Sequence, residues 1–573
     1  MNVSLRARII LSLTIGMVIL FVALNLLLDP PIREADLRSE DAFPGNQDST
    51  AYPLMHSTDK SSLQDHNLTS YTTQLNEAYL ETYQLWSLVE LTFDGPRFSD
   101  VNDQNNPFKI ELDVRFVSPS GEEYFVPGFY QGDGQGGMVG NVWQVRFTPD
   151  KTGNWSFLSS SSHVLLDGHS GTFEVIAQPT CETYQAGDLP NFECLGRLIY
   201  SEDRYLQFTQ GTYWLKGGVN EPEDFLAPGV TAGFASKELA IDYLARQGIN
   251  SIYLLLQNID GDKQNVWPWL GSTQRDAKRQ NEYFDIKRLG EWERIFDFIQ
   301  NRGIVLHLVL EDDSAWTGFN RQMYYREMVA RFAHYKGLVW NISEEYNENY
   351  SAEEVSRFAR MMRDLDPYDH PITVHHAGST ERWIPFMNDR NLDMTSFQTK
   401  SEPQNDLAVY WFDLVNSAQK TIPISFDETG QLKPDQRDLA REIVWSVYLG
   451  GANYEIFTQL NSGYPEFEFL FADQLRARRF IEQMSFETMS PCNALLQPGA
   501  GYCFGNPGEN YIIYFPKGGS WTIDLSGLSG LSEGIWFDPR TGETDFAGHF
   551  EGANIQTFST PNSQDWALWI SSK

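Results

Sequence analysis

Short apolar runs alternate with stretches of helical periodicity over residues 200–490 of this 573-residue chain. Helical patterns lie between the runs, and residues 237–246, 291–300 and 435–449 are examples. Eight strand-and-helix units over roughly 290 residues are typical of a (β/α)8 barrel. The runs predict strands over 213–218, 249–254, 304–309, 338–343, 372–376, 394–398, 422–427 and 452–457.

A doubly wound open sheet is the alternative, since it has the same alternation of strands and helices. A nucleotide-binding sheet of that kind carries a glycine-rich phosphate turn after its first strand. The residues at that place here, Lys216-Gly217-Gly218, do not form such a turn. The pattern therefore favours the barrel.

Residues on both sides of this region alternate apolar and polar side chains, with Gly, Pro and Asn between the runs. That period predicts an antiparallel β-sandwich over 79–178 and a smaller one over 493–573. The predicted fold is multidomain, with a (β/α)8 TIM barrel over 179–492 flanked by the N-terminal and C-terminal β-sandwich domains. The aromatic residues of the first sandwich are expected in its core, and a sugar-binding face is the alternative.

The N-terminus has the pattern of a membrane anchor. Arg6 and Arg8 precede an apolar run over 9–28, which as a helix is about 30 Å long and can span a bilayer. No small-x-small cleavage site follows, so we predict an uncleaved signal anchor over 1–31 and a polar tether over 32–78. The arginines indicate an extracytoplasmic protein, periplasmic or at the cell surface, that contacts the membrane through this helix alone. Secretion after signal cleavage is the alternative.

Charge and composition restrict the partners. The formal net charge is −34, which repels nucleic acid and anionic membrane surfaces. The chain also holds 16 Trp, 26 Tyr and 37 Phe, more than a core alone requires, and aromatic faces suit sugar rings. A carbohydrate partner is therefore favoured over nucleic acid.

Four cysteines fit an oxidising compartment. Cys181 lies close to Cys194 in sequence, and Cys492 lies close to Cys503. Three pairings are possible, and the two local disulfides are preferred. The spacing lacks a Cys-x-x-Cys pair, so we predict no metal site, and no cofactor is expected.

Two pairs of adjacent acids end predicted strands on opposing sides of the barrel mouth. Glu344 and Glu345 follow the fourth strand, and Asp427 and Glu428 end the seventh. TIM-barrel enzymes place their chemistry at these carboxyl ends. Retaining hydrolysis of a glycosidic bond needs two carboxylates about 5–5.5 Å apart. The pattern therefore predicts a glycoside hydrolase.

The same stretches carry a family resemblance, which covers nearly all of the chain after the tether. The acid pairs, on a barrel between two β-domains, resemble the clan A glycoside hydrolases. The N-terminal sandwich resembles a DUF5060-type domain and the C-terminal one a collagen-binding-type domain. The resemblance implies retaining cleavage of O-glycosidic bonds in a polysaccharide or oligosaccharide, with Glu345 as acid/base and Glu428 as nucleophile. The matching segments are 106–108, 126–130, 143–147, 153–155, 171–173, 216–218, 221–226, 325–332, 340–346, 395–398 and 427–430.

One position departs from the clan pattern. The clan usually has Asn directly before the acid/base, and here Glu344 stands there. Glu344 could bind the sugar 2-hydroxyl in place of that Asn, or it could itself be the acid. Strand alternation favours Glu345, because it places Asn341, Ser343 and Glu345 on the inner face of the barrel.

Further candidates for substrate binding lie at strand ends and in the insertion after the second strand. The two histidines among them could instead pack in the core, and so could the two tryptophans. A non-catalytic carbohydrate-binding or scaffolding protein with a degenerate barrel is the alternative to an enzyme. The candidate binding residues are Asn341, Glu344, His375, His376, Gln398, Glu455, Trp267 and Trp269.

Overall fold

The computed structural model describes a three-part architecture. The predicted anchor over 1–31 and tether over 32–78 lie outside the described residues. Within the described ranges, no helix is both long enough and apolar enough to cross a bilayer. The described residues are 81–99, 106–178, 180–220, 222–261, 266–313, 316–430, 432–457, 463–528, 530–552 and 554–572.

The N-terminal part is a β-sandwich, as predicted. One sheet has the strand order β1-β8-β7-β3-β4 and the other has the order β2-β6-β5. Trp143 and Trp155 are buried between them, so these aromatics form the core that the sequence indicated. The strands are β1 Glu81–Gln84, β2 Val89–Phe98, β3 Leu112–Val117, β4 Glu123–Pro127, β5 Phe129–Tyr130, β6 Gly140–Phe147, β7 Gly153–Ser161 and β8 Ser170–Ile176.

The middle of the chain forms a barrel of parallel strands, which confirms the predicted fold class. A short helix, α1 (Phe192–Leu195), and a hairpin of β9 (Leu198–Ile199) and β10 (Gln207–Phe208) precede it. Every residue of β12, β13 and β14 is buried, as expected for a sheet covered by helices. The barrel strands are β11 Gly217–Asn220, β12 Ser251–Leu255, β13 Val305–Val309, β14 Leu338–Asn341, β15 Ile372–Thr373, β16 His375–His376, β17 Ser396–Gln398, β18 Ser425–Glu428 and β19 Asn453–Phe457.

Two details of the barrel differ from the sequence prediction. The fifth strand is split at Val374: β15 pairs with β14, whereas β16 pairs with β17. The first strand starts at Gly217 rather than at 213, because Tyr213 bridges back to Gln207 and the Trp214 N–H donates to the Leu206 carbonyl. Pairing of β11 with β19 then completes the ring.

Helices pack around the barrel, and several begin at the residues expected. Ser351 and Glu354 form the reciprocal cap at the start of α6. Ser236 likewise caps α2 through the Leu239 N–H. The helices are α2 Lys237–Arg246, α3 Gln274–Arg279, α4 Ile286–Gln300, α5 Arg321–Phe332, α6 Ala352–Leu365, α7 Asn405–Ser417, α8 Arg437–Tyr448 and α9 Glu468–Ile481.

The C-terminal part is a smaller β-sandwich with its own apolar core, which also confirms the prediction. Its sheets have the strand orders β20-β21-β22-β27-β24-β25 and β23-β26. The strands are β20 Ser490–Pro491, β21 Tyr502–Asn506, β22 Asn510–Phe515, β23 Ser520–Asp524, β24 Leu531–Phe537, β25 Thr544–Glu551, β26 Ile555–Ser559 and β27 Trp566–Ser572.

Both preferred local disulfides are present. Cys181 is bonded to Cys194, with the Cα atoms 5.5 Å apart, and Cys492 is bonded to Cys503, with the Cα atoms 4.8 Å apart. The first crosslinks the segment that enters the barrel, and the second joins the start of the C-terminal sandwich to β21. Together they account for all four cysteines of the sequence.

A buried charge cluster fills the barrel interior beneath its carboxyl-terminal mouth. The Lys216 ammonium lies 2.8 Å from an Asp427 oxygen and 3.2 Å from a Glu455 oxygen. It is also 3.2 Å from His307 Nδ1, and Ser251 donates to Glu455 at 2.6 Å. All these side chains are buried, so one cation balances the carboxylates of two strands.

We predict that Lys216→Met lowers the free energy of unfolding by about 3–5 kcal/mol, because it leaves buried carboxylates without their cation. Denaturant unfolding measures the change. The matched control is Lys109→Met, which removes an ammonium that is 52% exposed in its pair with Glu282 and should have little effect. Equal stability of the two variants would contradict the role given to the cluster.

Candidate active site

The carboxyl ends of the barrel strands surround an acidic cleft of about 190 Å³. Four glutamates face it: Glu223 from the loop after β11, Glu344 and Glu345 from the end of β14, and Glu428 from the end of β18. Carboxyl ends of parallel strands meet at one edge, so residues far apart in sequence come together here. The cleft is lined by Glu223, Leu255, Asn258, Asp313, Glu344, Glu345, Glu428, Gly430 and Phe457.

A tight turn separates the two adjacent glutamates. The β14 ladder ends at Asn341, and the Glu344 N–H then donates to the Glu311 carbonyl at 2.8 Å. Glu345 has a φ of 30°, a left-handed conformation that is uncommon for a residue with a side chain. As a result Glu344 is buried at the floor of the cleft, while Glu345 is half-buried at its wall.

Glu344 is held by two side chains, one from β12 and one from β16. The Tyr253 hydroxyl hydrogen-bonds to Glu344 Oε2, and His375 Nδ1 lies 3.1 Å from Glu344 Oε1. The opposite ring nitrogen, His375 Nε2, lies 3.7 Å from Glu428 Oε2. The three residues Glu344, His375 and Glu428 each place one polar atom within 4.8 Å of the others.

The burial of these groups controls their charge. Burial raises the pKa of the Glu344 carboxyl well above its usual range, and the nearby carboxylates of Glu223, Glu428 and Glu345 add to that effect. Burial also raises the pKa of Tyr253 well above its usual value. For His375, burial and the neighbouring His376 lower the pKa to about 3. Burial therefore favours the neutral form of both the Glu344 carboxyl and the His375 ring.

Glu345 is held by Gln398 at the end of β17. The side-chain NH₂ of Gln398 donates to Glu345 Oε1, and the side-chain oxygen of Gln398 accepts a hydrogen bond from the backbone N–H of Gly378 at 3.0 Å. Gln398 is thus fixed from both ends of its amide. Gln398, one of the predicted binding residues, therefore takes part in the site by orienting Glu345.

An irregular pairing turns Glu428 into the cleft. Asp427 points into the barrel, where Lys216 and His307 overcome the effect of burial and lower the Asp427 pKa to about 2. The pairing of β17 with β18 shifts register at this point, so that Gln398 pairs with Glu428. The shift lets neighbouring acids serve different environments, one in the barrel interior and one at the mouth.

Two more predicted residues lie beside the floor. The side-chain nitrogen of Asn341 is 3.2 Å from His307 Nε2 and 3.5 Å from the Tyr253 hydroxyl. Its side-chain oxygen accepts a hydrogen bond from the backbone N–H of His375 at 3.2 Å. Asn341 therefore supports His375 from below. The His376 ring packs against Phe397, and burial lowers its pKa to about 4. His376 takes the packed role that the sequence left open.

Three further predicted binding residues lie away from the cleft, in the barrel interior or in the core of the insertion. Glu455 is buried within β19 and is occupied by Lys216, Ser251 and His307, because it lies in mid-strand below the mouth. Trp269 is 0% exposed and packs among Trp316, Phe319 and Tyr324; Trp267 is 8% exposed, with Arg288 over its ring. The two tryptophans therefore take the packed role that the sequence left open, because the insertion folds back as core.

Four residues of the site were missed by the sequence prediction. Glu223, Asn258 and Asp313 lie in loops that follow β11, β12 and β13, the same position relative to a strand that singled out Glu345. The predicted first strand starts at 213, four residues before β11, so the sequence did not mark Glu223 as a residue that follows a strand end. Tyr253 lies within β12, where an aromatic residue is typical of a core, and only the contact with Glu344 reveals its role.

Three groups of side chains have the spacing of metal ligands within the described residues: His307 with Asp427 and Glu455, Glu344 with His375 and Glu428, and Asp313 with Glu345 and Glu348. The first group already surrounds the Lys216 ammonium, which supplies its positive charge. The other two are acidic clusters whose spacing alone assigns no metal.

Three segments match known domain families. Residues 82–162 match a domain of unknown function, DUF5060, and residues 245–478 match a family described as "Apiosidase-like, catalytic domain". Residues 497–571 match a family described as "Putative collagen-binding domain of a collagenase". These matches confirm the resemblance predicted for the two flanking domains and for a glycosidase-type barrel. No curated protein matches the sequence.

Solved structures share the architecture. A crystal structure described as a "putative glycoside hydrolase" from Bacteroides vulgatus ATCC 8482 has a TM-score of 0.68 at 16% identity, over 86% of this chain and 99% of that one. A family 5 glycoside hydrolase from the same organism has a TM-score of 0.53 at 15% identity, over 67% and 95%. A third structure, described as "Glycoside hydrolase", has a TM-score of 0.54 at 15% identity, over 68% and 99%. At these identities the likeness shows the fold alone.

The raised pKa of Glu344 predicts a pH-dependent stability. Its neutral form stabilises the fold fully below the unfolded pKa, near 4.3, and this contribution is lost as the pH rises through the folded value. Glu344→Gln cannot ionise, so its melting temperature should gain on that of the unmodified protein as the pH rises above about 5. Glu174→Gln, which changes an exposed glutamate on β8, is the control. A difference in melting temperature between Glu344→Gln and the unmodified protein that stays constant with pH would contradict the raised pKa of Glu344.

Proposed function

We propose that this protein is a glycoside hydrolase that cleaves O-glycosidic bonds in a polysaccharide or oligosaccharide with retention of configuration. One observation carries the proposal: Glu345 after β14 and Glu428 at the end of β18 line one cleft at the carboxyl-terminal mouth of the barrel. The apiosidase-like family match and the glycoside-hydrolase folds support the same reaction class.

In this proposal Glu345 is the acid/base and Glu428 the nucleophile. A Glu428 oxygen attacks the anomeric carbon while Glu345 gives its proton to the departing glycosidic oxygen, and that carbon–oxygen bond breaks. A water molecule then attacks the same carbon, Glu345 takes the proton of that water, and the bond to Glu428 breaks. Protons and charges balance over the two steps, and no cofactor takes part.

Two observations favour Glu345 over Glu344 as the acid. Glu345 is half-buried at the cleft wall, where solvent can return its proton, whereas Glu344 is buried at the floor. The Glu345 carboxylate accepts a hydrogen bond from the uncharged Gln398 amide, while Glu344 contacts both Tyr253 and His375. The acid/base must give a proton to the leaving group and then take one from water, and a group at the cleft wall is better placed for both transfers.

The charge of the cleft also restricts the substrate. Four glutamates line it and the formal net charge of the chain is −34, so a uronate-rich polymer would be repelled. We therefore propose a neutral glycan. Apiose-containing glycans belong among the candidates, because the family match over residues 245–478 is described as apiosidase-like.

We also propose an extracytoplasmic location, with the globular part held at the membrane by residues 1–31. The arginine-flanked apolar run supports it, and so do the two disulfides. After cell fractionation, the full chain should stay with the membranes and resist extraction by about 1 M salt. A chain lacking residues 1–31 at its mature N-terminus, found in the soluble fraction, would show cleavage instead.

The enzymatic proposal is tested with purified protein on a panel of neutral and acidic glycans, with NMR of the first product. We expect hydrolysis of a neutral glycan and a first product with the anomeric configuration of the substrate. Glu428→Gln should lower kcat/KM by about 10³-fold or more, since the nucleophile is lost. Glu345→Gln should lower it by about 10²–10⁴-fold, and less for an activated leaving group that needs no proton.

The matched control is Glu381→Gln, which changes an exposed acid in the segment after β16 and should retain activity. An inverted first product would contradict the retaining mechanism. Glycan binding without turnover by the unmodified protein would instead favour the carbohydrate-binding alternative.

A further inference from the structure

A polar chain connects Glu344 to Glu428 through one imidazole ring. Glu344 Oε1 lies 3.1 Å from His375 Nδ1, and His375 Nε2 lies 3.7 Å from Glu428 Oε2. The Tyr253 hydroxyl touches the first link, because it contacts Glu344 and is 3.0 Å from Nδ1. His375 is fully buried, and within the described chain its Nε2 makes no hydrogen bond to another residue.

A neutral imidazole has one N–H and one lone pair, so its two nitrogens cannot both donate. If Glu344 carries a proton, directly or through the Tyr253 hydroxyl, then Nδ1 accepts and Nε2–H faces Glu428. If Glu344 is ionised, Nδ1–H is drawn to it and the Nε2 lone pair faces the Glu428 carboxylate. The first arrangement attracts the carboxylate and the second repels it.

We propose that the proton on Glu344 fixes the tautomer of His375, so that Nε2–H is directed at Glu428 and holds it ionised and aligned for attack. This inference rests on the proposed function, because it gives Glu428 the role of nucleophile. Glu344 is then a positioning residue that acts through His375. It explains why the chain carries two adjacent acids at the end of β14 with different burial.

Charged and titratable groups surround Glu344 on several sides. Glu223 comes from the loop after β11, Glu345 from its own turn and Glu428 from β18, and all three are acidic. Tyr253 comes from β12 and His375 from β16. Beneath His375 lie Asp427, His307 and Lys216, of which Lys216 and Asp427 form an ion pair. Acids face Glu344 from three segments, while the Lys216 charge is taken up by Asp427 and Glu455.

The consequence is an alkaline limit to activity that does not come from the acid/base. When Glu344 ionises, His375 changes tautomer and attack by Glu428 slows. Ionisation of Glu345 also slows hydrolysis of natural substrates, because the leaving group then lacks a proton. An activated aryl glycoside separates the two effects, because its leaving group departs without a proton.

The test is the pH profile of kcat/KM on an activated aryl glycoside of the sugar identified in the panel, for the full-length protein and for Glu344→Gln. The side-chain amide that this substitution introduces donates to Nδ1 at every pH. We expect the unmodified protein to lose activity about tenfold per pH unit beyond its alkaline limit. Glu344→Gln should lose about 3–10-fold near neutral pH but show no such limit.

A second variant tests whether Glu344 acts on Glu428 through the His375 ring. His375→Asn removes the link, so adding Glu344→Gln to it should change kcat/KM by less than about twofold, and the alkaline limit should be absent from both. A melting curve establishes that each variant is folded. If His375→Asn does not fold, the profile of Glu344→Gln decides alone. Activity that is unchanged by a chelator separates this role from metal binding by the same three residues.

The outcomes distinguish this inference from the function on which it rests. An unchanged alkaline limit in Glu344→Gln would overturn the inference and leave the glycosidase intact. A loss of about 10³-fold or more in Glu344→Gln, matching Glu428→Gln, would make Glu344 itself a reacting group and would also overturn it. Absence of hydrolysis of every glycan by the unmodified protein would instead contradict the proposed function.

Discussion

The crowding of carboxylates in one small cleft is the constraint on which the site depends. Four glutamates line a cleft of about 190 Å³, and Glu344 and Glu428 have oxygens within 4.8 Å of each other. Like charges at that distance cannot all remain ionised without a cation. The Lys216 ammonium in the barrel interior is paired with Asp427 and Glu455. This crowding favours the neutral form of a carboxyl, and burial raises the pKa of Glu344 well above its usual range.

The barrel supplies the two environments that this arrangement needs. Its interior pairs the Lys216 ammonium with the carboxylates of Asp427 and Glu455, and four glutamates line the mouth above it. Adjacent acids take different positions twice. Asp427 faces the barrel interior while Glu428 faces the mouth, and within the mouth Glu344 lies at the floor while Glu345 lies at the wall. Each division relies on a local irregularity, the register shift between β17 and β18 and the left-handed turn at Glu345.

The sequence predicted the fold well because hydrophobic periodicity reports burial directly. It located the barrel, both sandwiches, the capping box of α6 and the acids at the strand ends. It failed where the backbone departs from a regular period. Strand alternation cannot be extended past Asn341, where the ladder ends, so it could not show that Glu344 also enters the cleft. Nor could it show that Trp269 is enclosed by Trp316, Phe319 and Tyr324, because those contacts join separate segments of chain.

The most direct test of the account is to trap the reaction on the protein. A 2-deoxy-2-fluoro glycoside with an activated leaving group stalls a retaining enzyme at its covalent stage. Mass spectrometry of the protease-digested adduct then locates the bound sugar. We predict one sugar on the peptide that contains Glu428, attached at that residue. A sugar attached to Glu344 or Glu345, or hydrolysis without any adduct, would contradict it.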